Sequence, residues 1–267
     1  GTLAYRLTAK VKDGERDYDQ SQDDSRFLMG GLSWQPSTAT KLSVIADYLK
    51  RENTPNSGGY PLDREYDRDD FFGEPDFNYQ NVERASITGL FEHDFENGLN
   101  LRANLRYSDL TDNYGYAYLD ERFGRTGGLV GRGALASDIS SEEVIGNAIL
   151  KYDTTFDRIG SSTLAGLEFR DASVEESASY GLVPGADPDD PDTGGQPTGN
   201  TLYQTRDKDY STQSVFLQQN FSFDDRWIAT VGLRHDWIDV SLDQWSLFTT
   251  PQTNSAQNDF SETSFRA

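Results

Sequence analysis

Residues 98–112 alternate apolar and polar side chains almost without error, and that alternation constrains the fold more than any other feature of the chain. Leu99, Leu101, Ala103, Leu105 and Tyr107 fall on one face of an extended segment, and Asn100, Arg102, Asn104, Arg106 and Ser108 fall on the other. Successive side chains of a strand point to opposite sides, so the segment is a ribbon with one greasy and one charged face. Residues 81–95 form a second such ribbon, joined to the first by the tight turn Glu96-Asn97-Gly98.

The design recurs along the chain. Leu3, Tyr5, Leu7, Ala9 and Val11 alternate with Arg6, Thr8 and Lys10; Leu42, Val44, Ala46 and Tyr48 alternate with Ser43 and Asp47; Trp227, Ala229, Val231, Leu233 and Trp237 alternate with Thr230, Arg234 and Asp236. The pattern predicts strands at 2–13, 25–35, 39–52, 81–95, 98–112, 141–156, 160–174, 208–223 and 226–242, with a further one starting near 258. Most exceed the roughly five or six residues common in globular sheets and reach the roughly 9–11 that cross a bilayer at a tilt.

The expected connections alternate in length. Short ones fall at Gln35-Pro36-Ser37-Thr38, Glu96-Asn97-Gly98, Asp157-Arg158-Ile159 and Asp224-Asp225, and long polar ones at 14–24, 53–80, 113–140, 175–207 and 243–257. Short turns at one rim and long loops at the other describe an outer-membrane β-barrel, with turns in the periplasm and loops outside the cell. The expected fold is therefore all-β, an antiparallel transmembrane β-barrel. A soluble carbohydrate-binding sandwich would need shorter strands and loops of equal length.

Composition agrees. The chain is 35% hydrophobic, with a mean hydropathy of -0.72, and has no twenty-residue apolar run for a transmembrane helix. In a closed barrel every backbone group is paired between strands, so only the outward residues need be greasy. Aromatic residues at 12% suit interfacial girdles, and Trp34, Tyr48, Phe95, Tyr152, Phe221, Phe223 and Trp227 all fall near strand ends. Cysteine is absent and only His93 and His235 are present, which excludes disulfides, thiolate metal sites and histidine-rich zinc sites. A net charge of -21 argues against nucleic acid as a partner.

Several motifs have bland explanations. The run Asp187-Pro188-Asp189-Asp190-Pro191-Asp192 lacks the spacing of a calcium loop and reads as a solvated connection. His93-Asp94 and His235-Asp236 suggest a general base with its orienting acid, but neighbours in a strand point to opposite faces. Without a nucleophile elbow, no enzyme is expected. Gly127-Gly128-Leu129-Val130-Gly131-Arg132-Gly133 lacks the strand and helix of a nucleotide loop and reads as flexible outer loop. Arg84, Glu92, Arg102, Arg106, Arg170 and Arg234 belong to the polar faces, where they hydrate a lumen.

In order and spacing, five stretches resemble the barrel of TonB-dependent ferric-siderophore receptors, particularly the ferrichrome and hydroxamate branch. They are YRLTAKVKDG at 5–14, SRFLMGGLSWQPSTATKLSVIADY at 25–48, GGYPLD at 58–63, FFGEPDFNYQNVERASITGLFEHDF at 71–95 and DDRWIATVGLRHDW at 224–237. The resemblance implies a barrel of about twenty-two strands closed by an N-terminal plug. It places this chain from near the third strand to near the twelfth, as part of one barrel domain without plug or TonB box. No leader precedes Gly1 and the last strand is cut at Ala267, which fits a fragment. A small complete barrel with a passive or adhesive role is the alternative; it calls for an even strand count and usually an aromatic final residue.

The same resemblance implies the partners and the site. The transported ligand is a ferric siderophore whose iron is already coordinated, so no cofactor or protein metal ligand is expected. The surroundings are outer-membrane lipid and lipopolysaccharide, and the TonB complex engages through a region outside this sequence. Such a chelate is held by aromatic contacts and hydrogen bonds to its organic shell. Tyr60, Tyr114, Tyr116 and Tyr118, where strands give way to outer loops, match pocket aromatics of ferrichrome-type receptors, and Tyr180 is a fainter match.

Overall fold

A computed structural model of the chain describes residues 1–55, 60–61, 65–191, 195–224, 226–247 and 250–267. Gly58, Gly59, Leu62 and Asp63 of the GGYPLD stretch, Asp192 of the acidic run and Asp225 of the last short turn lie outside the described residues. The strands are β1 (Thr2–Lys12), β2 (Asp23–Gln35), β3 (Thr40–Asn53), β4 (Tyr79–Asp94), β5 (Leu99–Leu119), β6 (Arg125–Thr126), β7 (Leu129–Phe156), β8 (Ile159–Ala186), β9 (Thr198–Phe223), β10 (Trp227–Leu247) and β11 (Pro251–Arg266). All join one antiparallel sheet in chain order, save that the two-residue β6 folds back on β7 and leaves β5 to pair with β7. The sheet is a partial barrel wall with β1 and β11 at its edges.

The register makes the alternation of single strands coherent across the sheet. Ile87 lies opposite Tyr107, and Tyr107 opposite Val144. Leu101, Leu150, Ala165, Leu217 and Leu233 line up across β5, β7, β8, β9 and β10. Leu105, Leu167 and Leu217 on this face are each more than half exposed, which in water would be a large unpartnered apolar surface. It is a lipid-facing belt. Tyr152, Phe156, Phe221, Phe223 and Trp227 edge it beside the short turns, and Tyr107, Phe169 and Trp237 mark its other limit.

Short turns are fixed by local chemistry. Gly98 has a φ of 86° and faces the Asp153 carbonyl so closely that a Cβ would fall 2.3 Å from it. Glycine is required there on both counts. At the β2–β3 turn the Ser37 hydroxyl accepts from the amides of Ala39 and Thr40 at 3.3 and 3.2 Å.

The long connections are where the structure departs from expectation. Most of 113–140, 175–207 and 243–257 is strand: β7 and β8 run 28 residues each and β9 runs 26. Beyond the lipid belt both faces are polar, as in Ser137–Glu143, so hydrophobic alternation stops while backbone pairing continues. The glycine-rich stretch is likewise ordered. Gly127 and Gly128, with φ of 64° and 91°, form the β6–β7 turn, and Leu129–Gly133 already belongs to β7.

The dry core is small and lies beyond the belt. Residues 72–78 reach the extensions of β5, β7 and β8, where Phe77, Ala117, Ala134 and Val183 are buried with Tyr79 and Ala136 packed on them. Phe71 and Phe72, where this segment begins, are fully buried.

Candidate functional site

The polar face of β5 carries Asn100, Arg102, Asn104 and Arg106, and two-residue spacing continues it through Tyr114, Tyr116 and Tyr118. The belt-side row of the same strand turns polar at Asp109, so the three tyrosines stand beyond the bilayer. Their rings form a ladder, with centroids 5.2 Å apart for Tyr114 and Tyr116 and 5.3 Å for Tyr116 and Tyr118. Pairing carries the patch sideways: Tyr116 lies opposite Leu135, and Leu135 opposite Tyr180. Tyr180 then meets Tyr203 at 5.9 Å.

Four of the five expected tyrosines are thus brought to one face. Tyr60 is not among them. It stacks on Tyr66 at 6.1 Å, meets Phe72 edge-on at 6.0 Å, and donates its hydroxyl to the Arg68 carbonyl at 3.1 Å. It faces a separate cleft shared with Arg16, Tyr18 and Arg68.

Two further aromatics were not anticipated from sequence. Tyr203 is the extra residue of a β-bulge, since Ala178 pairs with Gln204 and Ser179 with Leu202. Tyr18, in the β1–β2 connection, stacks on Phe71 at 5.7 Å and donates to the Thr54 carbonyl. Neither sits in an alternating run, so no periodicity exposed them.

Burial, ahead of any neighbouring charge, pushes the hydroxyls of Tyr114, Tyr116 and Tyr118 above the ordinary tyrosine value. They are therefore neutral donors at physiological pH. The patch offers flat apolar rings edged by phenolic hydroxyls, a surface suited to an organic ligand with polar groups.

Below the tyrosines the same face holds paired charges. Asp47 accepts from Arg84 at 2.7 Å and from the Ser86 hydroxyl, which also receives Arg106 at 3.4 Å. Arg234 reaches Glu168 at 2.5 Å, Asp236 at 2.9 Å and Ser214 at 2.8 Å. Arg170 bonds Glu143 at 2.6 Å and lies 5.2 Å over the Tyr210 ring. Among the described residues, Arg84 Nε and Arg106 Nε are buried without a hydrogen-bond partner. The His–Asp pairs are split across the sheet: His235 Nδ1 bonds Thr263 on the belt side at 2.7 Å, while Asp236 belongs to the Arg234 network.

A less visible arrangement sits behind the tyrosines. Arg132 is buried, its Nη1 donating to the Gly73 carbonyl at 2.6 Å and its Nε to the Pro184 carbonyl at 2.8 Å, with Nη2 3.4 Å from Glu74. Glu74 also accepts the Gly195 amide at 2.6 Å. Burial draws the Arg132 guanidinium below its usual value, opposed by Glu74. Sequence reasoning missed Arg132 because its glycine neighbours read as flexible loop.

Comparison with known proteins agrees with this architecture. The family model described as "TonB dependent receptor-like, beta-barrel" matches residues 33–267. Ferrioxamine B receptors of two Salmonella typhimurium strains are 28% identical over 254 residues, which is 90% of this chain and 35% of their own length. The chain thus spans about a third of the curated relatives it matches. Among solved structures, the open form of the ferric-catecholate import receptor Fiu from E. coli K12 aligns over 99% of this chain and 46% of its own, with a TM-score of 0.79 at 16% identity. The siderophore receptor PiuA from Acinetobacter baumannii aligns over 98% and 42%, with a TM-score of 0.77 at 16% identity. The match to the ferripyoverdine receptor of Pseudomonas aeruginosa covers 98% and 35%, with a TM-score of 0.74 at 16% identity. From its family model and its wall of antiparallel strands, this chain belongs to the TonB-dependent receptor β-barrel family of the bacterial outer membrane.

Proposed function

We propose that the chain forms part of the wall of a ferric-siderophore receptor and presents Tyr114, Tyr116, Tyr118 and Tyr180 to the ligand. The supporting observation is the tyrosine ladder on the polar face beyond the lipid belt, half-buried and held in place by the β5–β7–β8 register. The names of the ferrioxamine B receptors favour a hydroxamate siderophore as ligand. The iron arrives already chelated, so the wall contributes ring contacts and phenolic hydrogen bonds rather than metal ligands. Uptake is energised through the TonB complex by a region outside this sequence. Outer-membrane lipid and lipopolysaccharide surround the belt. The wall itself performs no catalysis.

The test is ferrioxamine B binding to the full-length receptor carrying Tyr114→Ala and Tyr116→Ala together. Loss of two ring contacts at about 0.5–1.5 kcal/mol each weakens binding by about fivefold to a hundredfold. Unchanged affinity at normal surface expression overturns the assignment.

A further inference from the structure

The belt-side surface of β5 behind the tyrosines is unusually small and unusually covered. Between Tyr114, Tyr116 and Tyr118 stand Gly115 and Ala117, both buried. A Cβ on Gly115 would lie 2.7 Å from the Tyr79 ring and 3.1 Å from the Phe77 carbonyl. Ala117 is fully buried against Phe77, and its amide donates to Asn78 Oδ1 at 2.8 Å. The same Asn78 oxygen accepts the Glu74 amide at 2.9 Å, and Asn78 Nδ2 donates to the Pro55 carbonyl at 3.2 Å. The segment 71–79 therefore runs along the edge of β5 that β4 leaves open, with Asn78 capping the Ala117 backbone and Phe77 covering the belt side behind the tyrosines.

What keeps it there is Arg132. Its guanidinium ties β7 to two other parts of the chain at once: Phe72–Glu74, through the Phe72 and Gly73 carbonyls and the Glu74 carboxylate, and the Pro184 carbonyl near the end of β8. Glu74 in turn holds the Gly195 amide. Only the planar, multi-donor arginine fork can serve this many acceptors from one buried position. A buried charge of this kind is costly to leave unpaired, so the segment detaches from the strand only by breaking the whole set together.

We propose that Arg132 and Glu74 are positioning residues for the tyrosine face: they clasp the 71–79 segment against β5 and hold Tyr114, Tyr116 and Tyr118 in the geometry that receives ligand. The extensions of β5 and β7 stand beyond the bilayer, where lipid gives them no backing. The clasped segment makes that part of the wall rigid, and a rigid wall spends less binding free energy on ordering its side chains. The inference rests on the ligand reading of the tyrosines but is testable apart from it.

The experiment uses the full-length receptor in detergent, with Arg132→Met breaking the clasp and Gly115→Ala wedging the segment off without touching the clasp. Amide exchange over 71–79 and 114–118 is measured without ligand, then ferrioxamine B affinity and barrel melting. Both variants are expected to speed exchange at the Ala117 amide and to leave the barrel melting temperature unchanged. If loosening leaves about one wall in ten competent, apparent affinity falls about tenfold. Arg132→Lys, which keeps the charge and loses the fork, is expected to resemble Arg132→Met. Exchange over 114–118 that stays at the wild-type rate in both variants overturns the proposal, as does faster exchange with unaltered affinity. If Arg132→Met weakens binding while Tyr114→Ala and Tyr116→Ala do not, the tyrosine assignment fails and the clasp supports some other ligand-facing element.

Discussion

Phe169 lies over Gly146 on the lipid-facing side of the β7–β8 pair. The two residues are register partners, and a Cβ placed on Gly146 would fall 2.7 Å from the Phe169 ring and 3.0 Å from the Asn104 carbonyl. The ring fills the space that glycine leaves and shields the backbone from lipid, a pairing that pins register between long strands. Gly146→Val forces the ring aside and costs about 1–3 kcal/mol through overpacking. Chemical unfolding of the receptor in detergent or lipid reads the difference, and a variant as stable as the parent would contradict the packing.

The lipid belt gives a position-specific contrast. Leu217 is 53% exposed in the middle of the apolar row, whereas Leu90 is 36% exposed but shares the polar face with Arg84 and Ser86. An arginine near the bilayer midplane of a β-barrel costs about 2–4 kcal/mol. Leu217→Arg is therefore expected to lower folding stability in lipid vesicles by that order, and Leu90→Arg to fold almost normally. Equal losses at both positions would mean that the two faces had been wrongly assigned.

What the sequence disclosed follows from where water is absent. Within the belt, lipid on one side and a polar interior on the other impose a strict period of two, and Leu99–Tyr107 displays it plainly. Beyond the belt both faces are wet, so β7 and β8 continue through Ser137–Ser140 and their partners Glu175–Ala178 with no hydrophobic signature, and they looked like loop. Tyr114, Tyr116 and Tyr118 were found through the family resemblance, in a stretch read as loop, and it is the longer β5 that sets them on the polar row at two-residue spacing. Tyr203 was hidden by a bulge, and Arg132 by the glycines around it, whose conformational role is confined to Gly127 and Gly128. Tyr60 was chosen by its motif, and its ring is occupied within its own segment by Tyr66 and Phe72.

Asp47 anchors the charges beneath the tyrosines. Its side chain is 14% exposed and accepts from both Arg84 and Ser86, while Arg106 reaches the same serine. Asp47→Ala leaves two arginines close together without their shared anion, at a cost of about 1–3 kcal/mol for the unmet partners. Asp47→Asn keeps an acceptor for Ser86 and is expected to lose less. Thermal unfolding of the two variants side by side decides the matter: equal losses would make the carboxylate charge, rather than its hydrogen bonds, the dominant contribution.

The tyrosines are separable by what their rings touch. Tyr116 stands between Tyr114 and Tyr118 at 5.2 and 5.3 Å, so its removal breaks the ladder at its centre. Tyr60 contacts its own segment, and its hydroxyl is committed to the Arg68 carbonyl. Tyr116→Ala is therefore expected to weaken ferrioxamine B binding to the full-length receptor by about 0.5–1.5 kcal/mol. Tyr116→Phe, which keeps the ring and loses the neutral phenol donor, isolates the hydroxyl's share, about 0.5–1.5 kcal/mol if it bonds the ligand. Tyr60→Ala is expected to leave affinity within twofold while loosening the 65–72 segment. Titration of the three variants with ferrioxamine B distinguishes the cases, and a larger loss at Tyr60 than at Tyr116 would move the ligand from the β5 ladder to the cleft beside Tyr18 and Arg68.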